Sequence, residues 1–153
     1  MKIRVEIDEN VKEEEIILRC RELNDETIAI QKRIAEAVNE GMKLTVTRGE
    51  SEYYLNLQEI LFFETAGVAV AVHTVNQIYT THQRLYELEE ILPGIFLRVS
   101  KSTILNIGRI RSVRKNITGA SEVEFDGTAK KAFVSRSYFK LLTDKLEEKR
   151  LKR

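Results

Sequence analysis

Phe96-Leu97-Arg98-Val99-Ser100-Lys101-Ser102-Thr103-Ile104-Leu105-Asn106 is the stretch around which the rest of the chain arranges itself. Residues 96–99 read as a strand, and Ser100-Lys101-Ser102 follows at once, so it belongs to a loop or turn. Upstream, Leu85, Leu88 and Leu92 share one helical stripe that Pro93-Gly94 ends. Before it come Ile60-Leu61-Phe62-Phe63, a buried-type run ending at Glu64-Thr65-Ala66-Gly67, and a second apolar run over 68–72. Asn76-Gln77 turns that run toward Ile78-Tyr79-Thr80. Earlier still, Leu44-Thr45-Val46-Thr47 and Tyr53-Tyr54-Leu55 flank Arg48-Gly49-Glu50-Ser51, a hairpin signal. Downstream, residues 110–115 and 122–125 read as paired strands, and Asp126-Gly127 as a two-residue hairpin turn into a last strand, 131–134. Ser135 is an N-cap for a closing helix to about Arg150, with Tyr138, Leu142 and Leu146 on its apolar stripe.

The N-terminal part has a different character. Ile3, Val5 and Ile7 alternate with Lys2, Arg4 and Glu6, which is strand spacing, and Ile16-Ile17-Leu18 reads as a second strand. Asn24 or Asp25 caps a helix to about Asn39, with Ile30, Ile34, Ala37 and Val38 as its stripe and Gly41 as its stop. The composition shifts near Gly41-Met42. The expected organisation is therefore a β/α segment over 1–42, serving dimer or partner contact, and a second domain over 43–153. The fold class is α+β, mainly antiparallel β, with a closing C-terminal helix and a small N-terminal strand-strand-helix segment.

The 153 residues are 42% hydrophobic and 32% charged. No apolar stretch approaches the ~18 residues of a membrane span. Met1-Lys2-Ile3-Arg4-Val5-Glu6 has no signal-peptide apolar region, and one cysteine, Cys20, cannot make an internal disulfide. The expected compartment is a reducing cytoplasm. The formal net charge of +1 conceals a division. Residues 1–42 and 43–94 each carry a net of −4, while 95–140 hold ten Lys and Arg against three Asp and Glu, a net of +7. A basic stretch of that density is a candidate polyanion-binding face.

Catalytic chemistry finds no foothold. His73 and His82 have no cysteine or carboxylate at ligand spacing, and Cys20, beside a strand pattern, reads as a half-buried thiol without a base. Neither a glycine-rich phosphate loop nor a nucleophile elbow is present. The expectation is a protein that is not an enzyme and uses no cofactor, metal or small-molecule substrate. Arg136 draws attention instead. A cation in the first turn of a helix opposes the macrodipole by ~0.3–1 kcal/mol. It is also the side chain best suited to a bidentate contact with guanine. Pairing with a nearby surface Glu is the alternative reading of the same residue.

Ile60-Leu61-Phe62-Phe63-Glu64, Leu85-x-x-Leu88-Glu89-x-x-Leu92-Pro93, the 96–106 run and Val134-Ser135-Arg136 together resemble the LytTR DNA-binding domain of bacterial transcription regulators. The resemblance covers roughly residues 43–148. It implies a mainly β domain that reads double-stranded DNA through three loop regions on one edge rather than through a recognition helix. Carried over by position, the first region lies at Thr65-Ala66-Gly67, the second is Ser100-Lys101-Ser102 and the third is centred on Arg136, with Ser135 and Ser137 beside it. Arg98, Asn106 and Arg109 complete the candidate DNA-binding set. Where the family often has a longer polar first loop, this chain has Ala66-Gly67-Val68-Ala69. Asn106 has two readings, a DNA contact or an amide that ties down the turn after the Ser-Lys-Ser loop. Arg109, Arg111, Arg114, Lys115, Lys130 and Lys131 are candidate phosphate contacts.

Residues 1–42 are too short for the receiver domain that many response regulators carry. The whole chain resembles a receiver-less Gram-positive subgroup. That resemblance implies binding to repeated sites as a homodimer and control by a small membrane protein. The competing reading is a protein-interaction module whose basic face meets an acidic partner or an anionic membrane surface.

Overall fold

The computed structural model describes residues 1–39 and 42–149. The chain divides into two compact units, Met1–Val38 and Asn39–Arg153. Gly41 and Arg150, the expected stops of the first and last helices, lie outside the described residues.

The first unit holds one helix, α1 (Asp25–Asn39). Asn24 Oδ1 accepts the Thr27 N–H at 2.9 Å, and Thr27 Oγ1 accepts the Asn24 N–H at 2.9 Å. This reciprocal box satisfies two donors at the helix start. Asp25 and Glu26 in the first turn complement the dipole. Ile30 and Ile34 are half-buried, whereas Ala37 and Val38 are exposed. The two expected strands do not form: residues 1–24 contain none. Ile3, Val5 and Ile7 are 96%, 84% and 93% exposed. Alternation produces a strand only when another edge completes the ladder and a surface covers the apolar face. The strand-strand-helix expectation is thus corrected to a helix preceded by irregular chain. Cys20, expected to be half-buried beside a strand, is exposed for the same reason.

The second unit runs β1 (Lys43–Arg48), β2 (Ser51–Asn56), β3 (Phe62–Ala66), β4 (Ala69–His73), β5 (Ile78–Thr81), α2 (Leu85–Ile91), β6 (Phe96–Ser100), β7 (Thr103–Asn106), β8 (Ile110–Arg114), β9 (Ser121–Phe125), β10 (Lys131–Val134) and α3 (Arg136–Lys149). Seven strands form one antiparallel sheet in the order β2-β1-β5-β4-β3-β7-β6, and the last three form a second, β10-β9-β8. The β1–β2 hairpin turns at Gly49-Glu50, where Gly49 takes φ 62°.

The run Ile60-Leu61-Phe62-Phe63 is unbroken because β3 is buried on both faces. Phe63 and Ile104 join a core of Leu44, Val46, Val70, Val72, Tyr79, Leu85, Leu88 and Phe96. Phe62 and Leu105 join the other core, with Val99, Val123, Phe125, Ala132, Val134 and Leu142. The leucine stripe of α2 serves the first core and the Tyr138, Leu142, Leu146 stripe of α3 the second.

The Asp126-Gly127 turn differs from expectation. Gly127 does take φ 77°, but pairing resumes only at Lys131 opposite Glu124. The chain is drawn away from a tight hairpin because Thr128 Oγ1 donates to the Val75 carbonyl at 3.3 Å and Lys130 Nζ to the Gln77 carbonyl at 2.9 Å.

Phe62 stacks on Phe125 at 5.4 Å and on the His73 ring at 4.1 Å. Burial, and then the charge of Lys130, pull the His73 pKa from 6.5 down to about 4. The folded protein therefore holds the neutral ring more firmly than the unfolded chain does. Its contribution is complete above pH 6.5 and is lost as pH falls from there toward 4. Urea-unfolding midpoints should fall more steeply over this range for the wild type than for His73→Phe, which keeps a stacked ring without a titrating group. Parallel pH profiles for the two proteins would contradict this account.

Candidate nucleic-acid interface

Strand direction decides which loops meet. Glu64 pairs with Thr103, Ala66 with Ala69 and Ser100 with Thr103, so the β3–β4 and β6–β7 turns lie at the same end of the large sheet. The Thr65 N–H donates to the Ser102 carbonyl at 2.9 Å and joins these two turns. The Ser135 N–H donates to the Val99 carbonyl at 2.9 Å and brings the β10–α3 junction alongside. Thr65 and Gly67, the Ser100-Lys101-Ser102 turn and the Ser135-Arg136-Ser137 segment therefore converge on one edge.

Each region differs in form. Thr65 and Ala66 lie within β3 rather than in a loop, because their pairing with Val70 and Ala69 continues to the turn. Only Gly67 and Val68 turn the chain, with Gly67 at φ 63° and Val68 fully exposed. The second region is a hairpin tip. Ser100 Oγ accepts the Ser102 N–H at 3.1 Å and lies 3.2 Å from Ser102 Oγ, leaving Lys101 exposed between them. The third repeats the motif at a helix start: the Ser135 and Ser137 hydroxyls are 3.2 Å apart, and Arg136 is exposed. Among the described residues no carboxylate pairs with Arg136.

Three expected contacts are placed otherwise. Asn106 is 1% exposed. Its Nδ2 donates to the Ile60 carbonyl at 2.9 Å, and its Oδ1 accepts the Gly108 N–H at 3.0 Å. Of its two readings, the amide that ties down the chain is the one realised, and an external contact is corrected. Arg109 lies beyond the far end of β7, a strand about 10 Å long at ~3.3 Å per residue. There its guanidinium donates to the Gln58 carbonyl at 3.1 Å. Arg98 is partly buried and turned onto the backbone of the β6–β7 tip.

The remaining cations divide by strand register. Arg114 pairs with Glu122, and Val134 with Ser121, so Arg114 and Lys115 sit at the same end as Arg136. Lys115 Nζ lies 5.3 Å over the Phe139 ring in the first turn of α3. Arg111 is bound to Glu124 at 3.0 Å, a hydrogen bond that holds the Glu124 carboxyl below its usual range. Lys131 pairs with Glu122 at 3.4 Å, and Lys130, its pKa lowered by burial, is bound to Gln77. Val68, which the sequence places in a short apolar first loop, is exposed at the tip of the β3–β4 turn, and Arg84, outside the candidate set, is exposed just before α2. The β4–β5 register, with Val70 opposite Thr81, puts the end of β5 next to the β3–β4 turn, three residues before Arg84.

A family model described as the LytTr DNA-binding domain matches residues 50–147. An uncharacterized HTH-type transcriptional regulator of Staphylococcus aureus strain NCTC 8325 / PS 47 is 29% identical over 149 residues, 95% of this chain and 98% of that one. Another so described, from strain MRSA252, is 32% identical over 109 residues, covering 69% of this chain and 71% of its own. The solved structure of a LytTr DNA-binding domain from Bacillus cereus superposes with a TM-score of 0.63 at 20% identity, over 68% of this chain and 95% of that one. In the present chain the described helices are separated by strands, so no helix-turn-helix pair occurs among the described residues.

The register yields an expected outcome for the cations. Replacing Arg114 with Ala should reduce the log–log salt slope of DNA binding by about 0.9, the value of one neutralised phosphate. Lys131→Ala, at the other end of its strand, should leave the slope unchanged. Salt titrations of both variants check this, and a reversed order would place the interface elsewhere.

Proposed function

The chain belongs to the LytTR DNA-binding domain family and is a DNA-binding transcriptional regulator; we propose that it reads double-stranded DNA through the turns at one edge of its β domain. The observation that carries this reading is the bond from Ser135 N–H to the Val99 carbonyl, which sets Arg136 beside the Lys101 turn. Two exposed cations on adjacent, well-anchored turns suit base-edge contacts in the major groove. Arg114 and Lys115, at the same end, suit phosphate positioning. Ser100, Ser102, Ser135 and Ser137 supply hydroxyls that accept or donate to either. Thr65 and Gly67 place the first turn against the same surface, with Val68 at its tip. Arg98, Asn106 and Arg109 are left to roles within the protein.

The family is one of DNA-binding domains, so a non-catalytic regulator is the coarser conclusion. No described helix is long and apolar enough to cross a membrane. We read the working compartment as the cytoplasm, where the DNA is, and residues 1–42 as a separate contact segment.

Fluorescence-anisotropy titrations test the reading, using DNA upstream of the chain's own gene and a scrambled duplex across a salt series. Wild type should prefer the native duplex. Arg136→Ala should lose about 1–3 kcal/mol of that discrimination, the worth of one bidentate base contact. Equal binding to both duplexes by wild type would favour the interaction-module reading instead.

Two protomers on repeated sites are part of the same proposal, with α1 as their contact. Ile30 and Ile34, apolar residues one turn apart on α1 that are only half-buried, support it. The Ile30→Asp, Ile34→Asp double variant should run as a folded monomer in light scattering where wild type runs as a dimer. A monomeric wild type would remove the helix from this role.

A further inference from the structure

Among the described residues, Arg98 and Glu89 are the one charged pair that reaches the backbone of a turn at the converging edge. The Arg98 Nε donates to the Ser100 carbonyl at 2.6 Å, and its Nη2 donates to the Lys101 carbonyl at 2.6 Å. Its Nη1 donates to Glu89 Oε1. One planar fork thus spans two consecutive carbonyls of the β6–β7 tip, and α2 anchors the fork from behind. The pairing of β6 with β7 shifts register between Arg98 and Ser100, an irregularity in the ladder just before the tip where the guanidinium binds. Leu85 and Leu88 bury the other side of α2 in the core, which makes Glu89 a fixed anchor.

We propose that Arg98 and Glu89 are positioning residues that hold the backbone of the Ser100-Lys101-Ser102 turn, and so aim Lys101 at its base, without touching DNA themselves. The proposal rests on the reading of these turns as DNA readers. All three nitrogens of the guanidinium already have protein acceptors. The Glu89 carboxylate, at the outer nitrogen, repels a phosphate that would take its place. Lysine is not equivalent, because its ammonium is a point charge without the rigid fork whose three nitrogens reach two carbonyls and a carboxylate at once. Glu89 also cancels the charge of Arg98, so the pair adds nothing to the attraction of the edge for DNA. Its contribution is to specificity.

The test uses a duplex that the wild-type chain itself enriches from a random pool, with a scrambled duplex as control. The double variant Glu89→Gln, Arg98→Gln removes the clamp at constant net charge. Its preference for the enriched duplex should fall about tenfold, within the range of one base contact. Its affinity for scrambled DNA and its salt slope should stay as in wild type. In a Lys101→Ala background the same pair of changes should cost no further preference, because the clamp acts through Lys101. Glu89→Gln alone, at an exposed position that leaves the core intact, should lose preference in the same direction.

A salt slope reduced by about 0.9 in the double variant would make Arg98 a phosphate contact and overturn the proposal. So would an unchanged preference in the double variant. A wild-type chain that enriches no sequence would overturn the DNA-reading premise, a result distinct from failure of the clamp.

Discussion

Phe62 and Phe63 point to opposite sides of one strand, and every other element of the second unit is placed by that division. Phe63 requires a first core, which α2 closes. Phe62 requires a second, which the three-stranded sheet and α3 close. The partner strand β7 obeys the same rule through Ile104 and Leu105. Opening β7, or β3 at Phe62 and Phe63, would expose apolar surface on both faces. The buried Asn106 amide joins the ends of these strands to the chain entering β3 and to the turn entering β8. Removing it would leave a buried carbonyl without its donor, a cost of about 1–3 kcal/mol.

The proposed DNA-reading edge follows from this arrangement. Strands that alternate in direction deliver every second turn to the same end. The two turns flanking β3 and β7 and the junction between β10 and α3 are the ones delivered here. The surface is assembled from strand ends, not from a helix laid in a groove. Its charge is local: cations at the opposite ends of β8 and β10 are bound to carboxylates or carbonyls, while those at the converging end face outward.

Much of this is legible in the sequence. The Ser-Lys-Ser turn, the Ser135 helix start, the α2 and α3 stripes and the antiparallel character all follow from periodicity and turn chemistry. The failures share a cause. Ile3, Val5 and Ile7 carry a correct strand pattern, but a pattern does not supply the neighbouring strand. Asp126-Gly127 carries a correct turn signal, but contacts to Val75 and Gln77, some fifty residues away, override it. Lys130 and Lys131 counted equally with Arg114 in the net charge of their segment, yet strand direction sends them to opposite ends. Arg98 and Asn106 are polar residues in a DNA-associated motif, and only the fold reveals that they face inward. Local chemistry is written in the sequence near each residue, whereas orientation and distant partners are not.

The separation between what holds the edge and what the edge presents has an evolutionary consequence. Lys101, Arg136 and Val68 project from turns whose backbones are fixed by other groups, and all three are exposed. Substituting any of them disturbs no buried contact. After a gene duplication, two copies could drift toward different binding sequences while keeping the same fold and stability. Changes at Phe62, Leu105 or Asn106 would be purged for their effect on folding, whatever DNA the copy had come to prefer.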